Sequence, residues 1–302
     1  MIFKRRTKSD ELLTLQYVNR RMILSEKEKY HYHNLKKGYE GEEKFDKLLE
    51  GLKEERLILN DLLFDVNNSF FQIDTLIISE GFIHLLDIKN FEHDCYFQSD
   101  KLYSVNNDRE YKNPVDQLKR STTLFRQLLH SLKQNYIVKA YVIFIHPEFT
   151  LYQAPMDQPF IFPNQINRLI NELNNTPSKL NEAHKKLAQQ LLSLHHTKNP
   201  FSVIPNYTYD SLRKGTYCNR CHSFMIYFKN TSFICKNCGG HEKLEITILR
   251  NVKEYMLLFP ERLITTVNIF EWCDVALNDK TIRRILKKHL NTYGNKKGTY
   301  YK

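Results

Sequence analysis

The chain has 302 residues, with 45 Lys or Arg against 34 Asp or Glu, a formal surplus of +11, and 41% of its residues are hydrophobic. That composition disfavours wholesale disorder and favours polyanionic partners, namely nucleic acid or an anionic membrane face. No apolar run reaches the roughly 20 residues of a membrane-spanning helix, and charge begins at Lys4, too early for the apolar segment of a signal peptide. A cytoplasmic protein with no membrane partner is therefore expected.

Residues 1–36 are basic and polar with a helical apolar beat (Leu12, Leu15, Val18, Met22), which predicts one or two helices, a basic arm or a helix packed on the main domain. A helix over Glu40–Leu52 follows, placing Glu42, Phe45 and Leu49 on one side at spacings of three and four. An acidic residue aimed inward needs a partner, and a metal ion would supply one. Strands are expected at Leu57–Phe64, Phe71–Ser79, Phe82–Lys89 and Tyr96–Val105, then a long amphipathic helix and a strand at Ile137–Ile145.

Two of these strands meet at Glu80-Gly81, a suitable two-residue hairpin turn. If Ser79 pairs with Phe82, Asp74 lies opposite Asp87 and Gln72 opposite Lys89, all on one face, with Phe71, Ile73, Ile77, Leu86 and Ile88 on the other. Opposed carboxylates repel unless a cation sits between them, and Mg²⁺ or Mn²⁺ is the natural occupant. A lysine two residues along can stabilise developing negative charge. The competing reading is a solvent-facing strand whose charges carry no chemistry.

The segments GYEGEEKF, FQIDTLIIS, DIKN and Asn113-Pro-Val-Asp-Gln117 occur in an order that resembles the NERD (nuclease-related) domain, similar to the PD-(D/E)xK nucleases, over roughly residues 38–175. The resemblance implies a restriction-endonuclease-like α/β/α sandwich with a mixed sheet. It makes Glu42, Asp74 and Asp87 the metal-binding carboxylates, Lys89 the catalytic lysine and Gln117 an accessory catalytic residue. Ile73 replaces the proline of the PD motif, and Asp87 stands where NERD sequences more often carry Glu.

Asn174–Ser178 punctuates the chain, and a helix is expected at Leu180–Leu194. Then come Cys218-Asn-Arg-Cys221 and Cys235-Lys-Asn-Cys238, two knuckles 13 residues apart joined by an alternating stretch that suits a short hairpin. Four thiolates so spaced close a tetrahedral shell around one structural Zn²⁺, leaving no open catalytic position; redox or free thiols are the alternative. His222 and His241 read as bystanders. None of the nine glycines forms a phosphate-binding loop.

At the C-terminus, Val267–Cys273 predicts a short helix, Asp274–Leu277 a turn, and Asn278 the N-cap of a helix running to about Leu290. Ile282, Ile285, Leu286 and Leu290 would face inward, leaving Arg283, Arg284, Lys287 and Lys288 exposed, before a basic loop with Lys296 and Lys297. From Lys280 to Lys302 there are eight basic residues and no acid, which suits a winged helix-turn-helix contacting phosphates; a solvated basic tail is the alternative. The expected organisation is a basic helical arm (1–36), a nuclease-like domain (37–175), a helix and linker (176–214), a zinc ribbon (215–250) and a helix-turn-helix-like module (251–302). The expected function is metal-dependent hydrolysis of DNA, with an RNA-directed enzyme compatible with the same residues. The rival is a non-catalytic DNA-binding or regulatory protein that keeps the fold.

Overall fold

A computed structural model describes residues 1–275 and 278–302; the side chain of Lys297 lies outside the described residues, as do Ala276 and Leu277 of the expected turn. The chain forms two compact units, residues 1–8 with 33–201, and residues 9–32 with 202–302. This division cuts across the expected arm at 1–36. Strand β1 (Ile2–Lys4) belongs to the first unit, helix α1 (Asp10–Arg21) to the second, and helix α2 (Glu26–Leu49) runs unbroken through the anticipated boundary. Neither Gly38 nor Gly41 interrupts it.

The first unit is built on β2 (Leu57–Val66), β3 (Ser69–Ile78) and β4 (Phe82–Lys89), an antiparallel meander. Strands β5 (Cys95–Gln98) and β6 (Lys101–Ser104) replace the single strand expected over 96–105. Ser99 and Asp100 both take positive φ (48° and 59°), the geometry of a type I′ turn, without the Asn-Gly pair that usually announces one. Strand β7 (Glu110–Tyr111) precedes helix α3 (Pro114–Ser131), which Asn113 caps through the Val115 N–H. Strands β8 (Ile137–Phe144), β9 (Leu151–Tyr152) and β10 (Phe160–Ile161) and helices α4 (Ile166–Asn175) and α5 (Glu182–Leu194) complete the unit.

The main sheet has order β1-β2-β3-β4-β8-β10 and is mixed, since β1, β8 and β10 join in parallel. Both faces are buried. One packs Leu118, Phe125 and Leu129 of α3 and Leu187 and Leu191 of α5; the other packs Phe45 and Leu49 of α2 and Ile166, Leu169 and Leu173 of α4. Helices thus cover both sides, as the parallel crossovers require. A smaller sheet, β7-β6-β5-β9, lies in the same unit.

The expected β3–β4 register is present for Thr75↔Leu86 through Ile78↔Ile83, then stops. Asp74 does not pair with Asp87 through the backbone, and Gln72 pairs with Leu63 of β2 instead of Lys89. Nor do the apolar residues share one face: Phe71 and Ile73 join the α3 side, Ile77, Leu86 and Ile88 the α2 side. The cause lies at Asp61, whose φ of 50° interrupts β2 opposite Asp74. Leu57 and Leu59 before the interruption, and Leu62 and Phe64 after it, all reach the same core, so the alternation changes parity there.

In the second unit, β11 (Ile226–Lys229), β12 (Ser232–Cys235) and β13 (His241–Lys243) form an antiparallel ribbon, followed by helices α6 (Leu244–Leu258), α7 (Thr266–Cys273) and α8 (Asp279–His289). Asn278 caps α8 as expected, and a hairpin of β14 (Thr292–Tyr293) and β15 (Tyr300–Tyr301) closes on Ile264. Arg21 of α1 is completely buried here against Glu254 of α6 at 2.6 Å, with its guanidinium 3.9 Å from the centre of the Trp272 ring. Among the described residues, no helix is long and apolar enough to cross a membrane.

Candidate active site and metal centre

The break in the β3–β4 ladder creates the first site. Where pairing would continue, the Asp74 carboxylate enters the strand gap and accepts the Ile88 N–H at 2.8 Å, fixing its side chain beside Asp87. Strand β4 carries Asp87 and Lys89 onward, with the Lys89 ammonium 2.9 Å from Asp87. Gln117, in the first turn of α3, spans both: its amide donates to Asp87 and its carbonyl accepts from Lys89, each at 3.3 Å. The Pro114 start and Asn113 cap of α3 set that reach.

Helix α2 brings Glu42. The fit depends on Gly41, because a Cβ there would stand 2.5 Å from the Asn90 Cβ. Asn90 in turn donates to the Lys37 carbonyl at 2.8 Å, so the GYEGE and DIKN segments are locked together. Glu42, however, is already engaged. Arg6, just beyond β1, reaches it at 2.7 Å and also bonds Asp46, Asp61, Thr75 and the Asp74 carbonyl. The Arg6 side chain is only 2% exposed. Sequence reasoning placed Arg6 in a basic helical arm and missed Asp46 and Asp61 altogether. Its one local signal is the strand-like Ile2–Lys4 before it, which docks parallel to β2 and anchors Lys4 on the Asn60 and Asp61 carbonyls.

Burial and the neighbouring Asp74 push Glu42 up to about 9, against the pull of Arg6. Burial likewise raises Asp87, to about 6, with Lys89 opposing and Asp74 adding to the rise. Burial works against the charge on Lys89, but Asp87 and Asp74 outweigh it and lift the lysine above its ordinary value. Carboxylates held this far from their usual range want positive charge. The buried Asp61 Oδ2 accepts no hydrogen bond, and the buried Asp87 Oδ2 has the Lys89 ammonium 2.9 Å away. A hard divalent cation with oxygen ligands fits these acceptors. The ligand oxygens of Glu42, Asp74 and Asp87 do not close to within 4.8 Å of one another; among the described residues, only a cysteine set does.

That set is Cys218, Cys221, Cys235 and Cys238. The expected hairpin is β11–β12, with Cys235 paired opposite Ile226, and Gly239 takes the positive φ (67°) its knuckle requires. Two sulfur pairs stand at 3.7 Å (Cys218, Cys238) and 3.5 Å (Cys221, Cys235). Four sulfurs at a Zn–S distance of about 2.3 Å would be about 3.8 Å apart, so the cluster is compatible with a structural zinc. The Asn237 amide draws Cys221 down to about 6.

In the C-terminal unit, Arg283, Arg284, Lys287, Lys288 and Lys296 are exposed, and Ile282, Ile285 and Leu286 are buried. Lys288 is not free: it pairs with Glu245 at 2.8 Å, His289 also meets that carboxylate, and these two hold Glu245 down to about 2.

A mixed sheet covered by helices, with carboxylates and a lysine gathered at the ends of its middle strands, defines an α/β domain with a cation-seeking acidic centre. Residues 37–145 match the nuclease-related domain, NERD, a match that suggests a nuclease-related function and an interaction with nucleic acid. The match takes in Glu42, Asp74, Asp87, Lys89 and Gln117 and leaves out Arg6 and the four clustered cysteines. No curated protein and no solved structure matches the chain.

Proposed function

We propose that the protein is a divalent-metal-dependent nuclease hydrolysing DNA phosphodiester bonds, on a restriction-endonuclease-like sandwich, with a zinc ribbon and a winged helix-turn-helix-like module in the same chain. The observation that carries this reading is the arrangement of Asp74, Asp87, Lys89 and Gln117 within a segment matching a nuclease-related family. Asp74 and Asp87 would hold Mg²⁺ or Mn²⁺, with Glu42 as the third acid of the site. When bound, the ion supplies an activated water and a Lewis acid for the phosphoryl oxygen. Lys89 stabilises negative charge developing on the phosphate, and Gln117 keeps Asp87 and Lys89 in mutual orientation. The cysteines would hold one zinc, and Arg283, Arg284, Lys287 and Lys296 would meet DNA phosphates.

One observation favours a second reading, a DNA-binding protein without cleavage: the Arg6 guanidinium already satisfies Glu42. The test is incubation with linear, nicked, branched and single-stranded DNA and with RNA, plus Mg²⁺ or Mn²⁺, beside Asp74→Ala and Lys89→Ala. Cleavage lost in both variants is the expected result. Cleavage that survives both substitutions points to a contaminant, and none from the parent leaves the binding protein. Asp74→Asn should weaken Mn²⁺ binding in calorimetry while leaving the zinc content unchanged, since the two sites share no ligand.

A further inference from the structure

We infer that the exposed face of the β11–β12–β13 ribbon is a stacking platform for single-stranded DNA, with Tyr227 as its principal ring. The inference goes beyond cleavage. It rests on the DNA-directed reading above, whether the protein cuts DNA or only binds it.

Register sorts the ribbon into two faces, because cross-strand partners point the same way and direction alternates along each strand. Tyr227 pairs with Ile234 and Ile234 with His241; Lys229 pairs with Ser232 and Ser232 with Lys243. These six residues share one face. The other face does the work of folding. There the Phe228 ring packs on Phe233 with centroids 5.4 Å apart, Cys235 joins the thiol cluster, and Glu242 is held at 2.9 Å by both Thr247 and Arg250. Burial follows the register: Phe233 and Cys235 are buried, whereas Tyr227, Lys229, His241 and Lys243 are exposed.

The exposed face combines rings with positive charge. Tyr227 is 41% exposed, and the His241 ring lies two strands away with the half-buried Ile234 between them. Lys229 and Lys243 flank this row, and the Lys236 ammonium stands 5.8 Å from the centre of the Tyr227 ring. No strand residue on this face is acidic, since the ribbon's Glu242 turns to the other side. Rings offer their flat sides to bases, and lysines meet the phosphates between them. In a duplex the base faces are covered by their neighbours, so an unpaired strand is what the rings can receive. Complementary charge and exposed rings on one short sheet therefore select single-stranded DNA as the occupant.

The test uses zinc-loaded full-length protein without added Mg²⁺, so that binding is read apart from cleavage, and fluorescence anisotropy with labelled oligothymidylate, a duplex and oligouridylate. Tyr227→Ala should weaken oligothymidylate binding by about tenfold or more and leave duplex affinity at the parent's value, while Tyr227→Trp keeps the single-strand affinity. Lys229→Ala combined with Lys243→Ala should reduce the single-strand slope of log K against log salt by about 1.4. With the ribbon unsubstituted, an oligonucleotide carrying 5-iodouracil should cross-link on irradiation to the peptide that contains Tyr227, a readout that requires no variant to fold. Cross-links confined to other segments overturn the inference alone, as does unchanged single-strand affinity in Tyr227→Ala protein that retains its zinc. Equal losses for single strand and duplex overturn the stacking, and tighter Tyr227-dependent binding of oligouridylate overturns the choice of DNA. Tyr227-dependent binding of phosphatidylserine vesicles without binding of oligothymidylate would give the face to a membrane instead. No binding of any DNA overturns the DNA-directed reading as well.

Discussion

Replacing Arg283, Arg284 and Lys287 together by alanine should flatten the salt dependence of DNA binding. These residues occupy the exposed side of α8, opposite the buried Ile282, Ile285 and Leu286, so their removal spares the packing. Deleting residues 279–302 would be a poorer perturbation, because it also strips Ile282, Leu286 and Tyr301 from the core. Each phosphate contact releases condensed counterions, and three lost contacts should reduce the slope of log K against log salt by about 2.7. Between 50 and 200 mM salt, that slope difference changes the ratio of parent to variant affinity by about 40-fold. Fluorescence anisotropy with a labelled duplex across a KCl series measures it. Lys288→Ala should change the slope less than Lys287→Ala, because Lys288 already pairs with Glu245. A triple variant with the parent's slope and affinity would refute phosphate contact by this helix.

Elemental analysis should find one zinc per chain; Cys235→Ser should lose it and unfold the ribbon, since a structural zinc supplies about 10–16 kcal/mol of folding free energy. Titratable free thiols with no zinc would remove the centre. His84 offers a pH test. Burial, helped by Lys139 and Arg56, holds it down to about 4 from an ordinary 6.5, so it stays neutral when folded and protonates more readily when unfolded. Its contribution to stability is therefore complete above about pH 6.5 and is lost as pH falls towards 4, by up to about 3 kcal/mol. Denaturant titrations at pH 7 and 4.5 should show a smaller acid loss in His84→Phe; an equal loss in both proteins contradicts the assignment. Gly41→Ala should destabilise the first unit by about 1–2 kcal/mol, overpacking against Asn90 outweighing the gain in helix propensity. An unchanged or raised melting temperature would show that Asn90 yields without cost.

Much of this site is written locally. The knuckle spacing names four cysteines, because two thiolates per tight turn is a property of a few consecutive residues. Glu80-Gly81 sets the β3–β4 register, and a period of two then carries Asp87 and Lys89 to the strand end. Asn113 and Pro114 start the helix that presents Gln117. Amphipathic spacing likewise puts Phe45 and Leu49 in the core and leaves Arg283 and Arg284 outside it. Where the prediction was a continuous ladder, the fold decided otherwise. A positive φ at Asp61 changes the parity of β2, and nothing around Asp61 in sequence announces it. The Asp74 carboxylate fills the resulting gap, which no pairing rule anticipates. Residues 1–36 separate between two units because β1 finds an open edge on β2 while Arg21 finds Glu254, partners 233 positions apart. Arg6 meets Glu42, Asp61 and the Asp74 carbonyl only after β1 docks. Spacing and periodicity report neighbours along one helix or strand; the charge balance of a buried centre depends on which distant side chains close over it, and tertiary packing alone chooses those.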